Sequence, residues 1–239
     1  MNRTIVIAGQ SNTGKSTSLR NLKNREKYAY LNADDKALPI RGANAFLKNI
    51  RIKDPMEVPA YYPQFEAYDG CEGVILDTLT YLMAQYERKI VNPAANTMEG
   101  WKNYGIYYKE FNDLVKDSTK THIIMAHTES LLNEQSMQME SKILVKGAVG
   151  KIGVEADHTV VVTTKQMPVA KLKKFDTPLL TYTAAEEASG MKYVFSVQLN
   201  ENTIGDRTRA PFGFWDDNEH YIDNDIQIVL DRWDEFYGE

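Results

Sequence analysis

Cysteine is nearly missing from this 239-residue chain, where Cys71 stands alone. An intramolecular disulfide is therefore excluded, and a reducing compartment is the natural expectation. Long apolar runs are missing too: nothing approaches the roughly 18 uninterrupted apolar residues that a spanning helix requires, so no membrane partner is expected. Met1 to Gly9 holds a short apolar run behind one arginine and no small-residue cleavage site, unlike a secretory signal. The expectation is a cytoplasmic protein. His122, His127, His158 and His220 share no metal-ligand spacing with carboxylates or with Cys71, so no zinc site is expected. Positive charge is in deficit, with 28 basic against 33 acidic residues and a balance of −5. That excludes a wholly basic nucleic-acid-coating protein, though not a local basic face. Internal repeats and low-complexity tracts are absent, which removes solenoids and disordered arrays.

What remains, with 43% hydrophobic and 26% charged residues, is an ordinary globular composition, long enough to bury a core without staples. One domain over residues 1–239 is expected, with a core at about 1–165 and a strand and acidic helix at about 190–239. Strands are expected at Arg3 to Ala8, Lys27 to Asn32, from after Cys71 to about Asp77 with Gly73 to Leu76 as the apolar body, Thr121 to Ala126, His158 to Thr164 and Lys192 to Leu199. Helices are expected at Lys15 to Lys23, Thr78 to Lys89, Glu99 to Lys116 and Ile222 to Phe236. In the third of these, Trp101, Tyr104, Tyr108 and Phe111 recur at helical spacing and read as a core-facing stripe. Asp54 to Pro63 carries three prolines and is expected to be irregular. Strands alternating with helices after a strand-glycine-helix opening indicate an α/β fold with a mainly parallel sheet flanked by helices, closed by a C-terminal amphipathic helix.

Gly9-Gln10-Ser11-Asn12-Thr13-Gly14-Lys15-Ser16, followed by Thr17, fits the phosphate-loop pattern G-x-x-x-x-G-K-[ST] without a mismatch. The two glycines let the backbone curl so that N–H groups face phosphate oxygens, and a following helix adds its dipole. Lys15 supplies positive charge to the β- and γ-phosphates of ATP, and the Ser16 hydroxyl is placed to ligate Mg²⁺. A glycine-rich helix cap is the bland alternative.

Val74-Ile75-Leu76-Asp77 is an apolar strand ending in an acid, as needed beside a Mg²⁺ shell; alone, Asp77 would as readily cap the next helix. Asp34 and Asp35 follow the second strand and are candidates to activate the attacking water, and the sequence does not choose between them. His127 ends the strand Ile123 to Ala126, where it would either sense the γ-phosphate or simply be satisfied at the sheet edge.

With the phosphate loop near the start, Val74-Ile-Leu-Asp-Thr-Leu-Thr80 as the second acid strand and a sensor strand feeding a loop from Thr128 to Val149, the chain resembles the RecA-like P-loop ATPases. More narrowly it is similar to the phage Sak-type single-strand annealing proteins. Arg207-Thr-Arg-Ala-Pro-Phe-Gly213 and Ile222 to Leu230 resemble that family's ending. The resemblance implies a Mg²⁺-dependent ATPase with Gly14, Lys15, Ser16 and Asp77 in matching places, acting with single-stranded DNA in recombination, annealing or replication. It also implies a ring or filament of copies, recombination or replication partners and, if phage-encoded, the host cytoplasm. RecA itself has a glutamate and a glutamine where Asp34 or Asp35 and His127 stand here. By the same resemblance, Lys142, Lys146 and Lys151 would contact DNA phosphates, and Lys165, Arg207 or Arg209 would reach a neighbouring subunit's nucleotide. An ordinary solvated charge is the alternative for each.

Two other readings of the same motif are a deoxynucleoside monophosphate kinase and a nonhydrolysing nucleotide switch that works through a partner. Residues 216–239 hold nine acids and one arginine, so this segment carries −8 and the rest +3. A mildly basic body with an acidic tail is expected.

Overall fold

The computed structural model describes residues 3–134, 137–200, 203 and 205–238. In chain order its strands are β1 (Arg3–Gly9), β2 (Tyr28–Asn32), β3 (Lys48–Arg51), β4 (Gly73–Asp77), β5 (Thr121–Asn133), β6 (Gln138–Ile143), β7 (Val160–Pro168), β8 (Met191–Ser196) and β9 (Tyr221–Asp223). The helices are α1 (Glu57–Glu66), α2 (Leu79–Tyr86), α3 (Thr97–Asp117), α4 (Gly147–Ile152), α5 (Val169–Leu172), α6 (Ala184–Ser189) and α7 (Ile226–Tyr237).

Among the described residues the strands form one sheet in the order β3-β2-β4-β5-β1-β7-β8-β9, with β6 paired to β5. The pairs from β3 through β7 are parallel, whereas β7 with β8, β8 with β9 and β5 with β6 are antiparallel. The expected α/β architecture with a mainly parallel sheet is therefore the observed one. Strands from both ends of the sequence share this sheet, so the C-terminal segment extends the core.

Side-chain alternation along the strands divides the core into two layers. Val6, Ala8, Val74, Leu76, Ile124 and Ala126 face α1 to α3, meeting Tyr62, Phe65, Leu82, Tyr104, Tyr108 and Phe111. Ile5, Ile7, Tyr30, Ile75, Ile123 and Met125 face the other way, towards Leu19, Phe214, Ile226, Val229 and Trp233. The aromatic stripe of α3 is core, with Tyr104, Tyr108 and Phe111 buried and Trp101 at its exposed rim.

Several expectations are corrected. The proline-rich segment is helical over Glu57–Glu66: Pro59 falls in the first turn, where an N–H has no acceptor to lose. Pro63 forfeits one helical bond, but Val58, Tyr62 and Phe65 bury one face, and this outweighs it. The helix expected at Lys15 to Lys23 is a 3₁₀ turn, Ser16–Asn21. Its serines and threonine are weak helix formers, and Ser18 Oγ bonds back to the Lys15 carbonyl at 2.6 Å. The expected terminal helix begins four residues late, because Tyr221–Asp223 pairs with β8 and Asp225 provides the cap of α7. The segment expected as a loop after His127 is a hairpin, in which β5 continues to Asn133 and pairs with β6.

Candidate functional site

Parallel register brings the polar ends of four strands to one edge. Gly9 of β1 lies opposite His127 of β5, Asp77 of β4 opposite Met125 of β5, and Asn32 of β2 opposite Asp77. The segment matching the phosphate-loop pattern leaves this edge from β1. Gly14 has φ of +96°, a region that penalises any side chain. At Gly9 the constraint is contact: a Cβ there would stand 2.0 Å from Thr164 Oγ1.

Lys15 is only 6% exposed and donates from Nζ to the Gly9 and Gln10 carbonyls at 2.9 and 2.7 Å. Burial brings its pKa down from 10.5 to about 8, against the opposing pull of Asp77 and Asp34. Ser16 Oγ donates to Asp77 Oδ2 at 2.7 Å, and Tyr30 Oη donates to the same oxygen at 2.6 Å. Asp77 is 4% exposed; burial pushes its pKa above the ordinary value, while the two hydroxyl donors hold it back. It does not cap α2. That cap is Thr78, whose side chain accepts from the Tyr81 N–H, so the Asp77 carboxylate is left to face Ser16.

The two acids after β2 part company. Asp34 lines a cleft of about 370 Å³ together with Lys15, Ser16, Tyr30, Asp77 and His127. Asp35 turns away and pairs with Arg51. Asn32 fixes this turn, accepting from the Asp35 N–H at 2.9 Å and donating to the Lys36 carbonyl at 2.8 Å. Lys36 lines the same cleft and reaches Asp34 at 3.1 Å.

His127 also lines the cleft, with its ring edge-on to Tyr81 at 5.3 Å and its Nε2 buried without a hydrogen-bond partner. Burial, then the charge of Lys15, lowers its pKa to about 4, so the imidazole is neutral near pH 7.

The remaining candidate cations lie elsewhere. Lys165 lines a groove of about 570 Å³ on the other side of the loop and pairs with Asp206 at 2.7 Å. Arg207 reaches Glu140 and Glu155, and Arg209 donates to the Glu155 and Ala156 carbonyls. Lys142 stands opposite Glu129 in the hairpin, and Lys146 pairs with Glu87 at 2.8 Å. The Lys151 side chain lies outside the described residues. Gln10 Nε2 donates to Ser130 Oγ at 2.9 Å, tying the loop to the hairpin.

Tyr30, Asn32, Lys36 and Thr164 line the cleft or the adjoining groove without belonging to any sequence motif. Asn32 did leave a signal, as a polar residue at the end of the strand Tyr28–Asn32. Among the described residues no three of His, Cys, Asp and Glu gather as a metal group, and no helix is long and apolar enough to cross a membrane. The hydroxyl and carboxylate of Ser16 and Asp77 are nevertheless hard oxygen donors at contact distance, which suits Mg²⁺ completed by water and phosphate oxygens. No protein-family model matches the chain, and no curated protein matches it significantly.

Proposed function

We propose that the protein is a Mg²⁺-dependent nucleoside-triphosphatase of the RecA-like kind, with ATP as its substrate. The observation that carries this reading is the convergence of Lys15, Ser16 and Asp77 at the loop between β1 and the 3₁₀ turn, with Asp34 and His127 on the same cleft. The insertion of β5 between β1 and β4 supports the sensor role, because it sets His127 between the loop and the acid strand.

In this reading Lys15 exchanges its loop carbonyls for phosphate oxygens, and Ser16 and Asp77 hold the metal. Mg²⁺, when bound, neutralises phosphate charge. Asp34 takes the proton of the attacking water as the new P–O bond forms and the bond to the bridging oxygen breaks. ADP leaves with that oxygen, and the terminal group departs as phosphate. Neutral His127 offers one N–H and one lone pair for orienting water or sensing the terminal phosphate.

Single-stranded DNA as partner, and assembly of copies, rest on the family resemblance. The hairpin of β5 and β6 is the element that would meet the strand. Turnover of ATP should require Mg²⁺ and disappear in Lys15→Ala, together with binding of ATP and ADP. Absence of ATP binding by the wild-type chain overturns the proposal. Binding without turnover, with DNA present or absent, leaves a nucleotide switch in its place. A salt titration of single-stranded DNA binding tests the partner, since phosphate contacts weaken as salt rises.

A further inference from the structure

Charge stabilisation around a transferring phosphoryl group generally needs a cation beyond the loop lysine. Lys165, Arg207 and Arg209 are each engaged within the chain and lie off the cleft. Among the described residues that line the cleft, the cations are Lys15 and Lys36. Lys36 has a backbone fixed by Asn32 and a side chain that is 68% exposed, so the ammonium moves on a fixed base. Its Nζ stands 3.1 Å from both oxygens of Asp34 and 5.5 Å from the centre of the Tyr81 ring. Its charge also reaches the cleft floor, where it helps lower the pKa values of Lys15 and His127.

We propose that Lys36 is the second cation of the phosphate site, supplied by the same chain, and that it leaves Asp34 for the terminal phosphate of a bound nucleoside triphosphate. The inference rests on the nucleotide-hydrolysis reading above. A terminal phosphate carries more charge than one carboxylate and outcompetes Asp34 for the ammonium, which a diphosphate lacking that group does not. Asp34 is freed from the ammonium only when a triphosphate is present, so the exchange of partners is tied to the nucleotide that is to be hydrolysed.

The test is calorimetric titration of the full chain with Mg²⁺ and either a nonhydrolysable ATP analogue or ADP. Lys36→Ala should weaken the ATP analogue about tenfold or more, as for loss of a charged hydrogen bond, with ADP changed less than about twofold. Lys36→Arg should keep most of the preference. Asp34→Asn, which releases the ammonium from its partner, should strengthen the ATP analogue relative to ADP. An unchanged ATP-to-ADP ratio in Lys36→Ala overturns the role of Lys36. If Lys15→Ala still loses both nucleotides in that case, the hydrolysis reading stands without it. Failure of the wild-type chain to bind either nucleotide overturns both.

Discussion

Tyr30 Oη and Ser16 Oγ donate to one and the same oxygen of Asp77, at 2.6 and 2.7 Å, one from a neighbouring strand and one from the start of the 3₁₀ turn. Each bond favours the ionised form, against the burial that disfavours it. Removing the phenol in Tyr30→Phe should raise the Asp77 pKa further. On the proposed reading, acidification then removes earlier the charge that would hold Mg²⁺, so the acid limb of Mg²⁺-dependent turnover should shift to higher pH. A pH profile at fixed Mg²⁺ measures this, and an unmoved limb refutes the coupling.

Asp77→Asn should separate stability from activity. Burial is the largest influence on this carboxylate, and it penalises the charge at neutral pH. The amide keeps an oxygen for Tyr30 and Ser16 and sheds that penalty. The expected gain is about 1 kcal/mol, or a rise of roughly 2–4 °C in Tm, alongside loss of Mg²⁺-dependent turnover. A fall in Tm would show that the charge itself holds the edge together.

Lys15 sets a pH limit at the other end. With its pKa brought down to about 8, the free site must take up a proton to bind a polyanion above that pH. Nucleotide affinity should fall as pH rises through 8, approaching about tenfold per pH unit beyond it. The fold responds with the opposite sign: between about 8 and the ordinary 10.5 the unfolded chain holds a proton that the native loop has released, so the Lys15 contribution to stability rises. Titrations of affinity and of denaturant midpoint from pH 7 to 10 should diverge accordingly.

Gly9→Ala tests the close approach of β1 to β7. The new Cβ would meet Thr164 Oγ1 at 2.0 Å and Thr13 Oγ1 at 2.8 Å, and overpacking of this kind costs about 1–3 kcal/mol. Thr164→Ala opens the space, so the double variant should cost less than the two single ones together. Additive costs in urea unfolding would mean that the contact is not the reason glycine stands there.

The β1 strand, the loop and the acid at the end of β4 were legible because each has a local signature, apolar β-branched residues followed by glycine or by an acid. The order of the sheet was not, since nothing in the sequence of β5 says that it slides between β1 and β4. The choice of Asp34 over Asp35 was equally hidden. It depends on Asn32 shaping the turn and on Arg51 taking Asp35, and Arg51 is brought there by β3, an edge strand whose sequence Lys48-Asn-Ile-Arg51 carries no buried pattern. Helix α1 is hidden in the sequence because its prolines mask the helical spacing of Val58, Tyr62 and Phe65. The late start of α7 is hidden because Ile222 fits a helical face as well as it fits β9.

Strand β5 runs without a break from the centre of the sheet through His127 and on to Asn133. The six residues beyond His127 extend it by about 20 Å at the usual rise per residue. One unbroken rod thus has its root in the cleft lined by Lys15, Asp77 and His127 and its tip in the hairpin, with the Gln10 to Ser130 bond as a strut near the middle. A rod without a hinge magnifies small tilts at its root, and it works in both directions. On the proposed reading, a load on the hairpin tip should be felt at His127 as readily as a change in the cleft is felt at the tip.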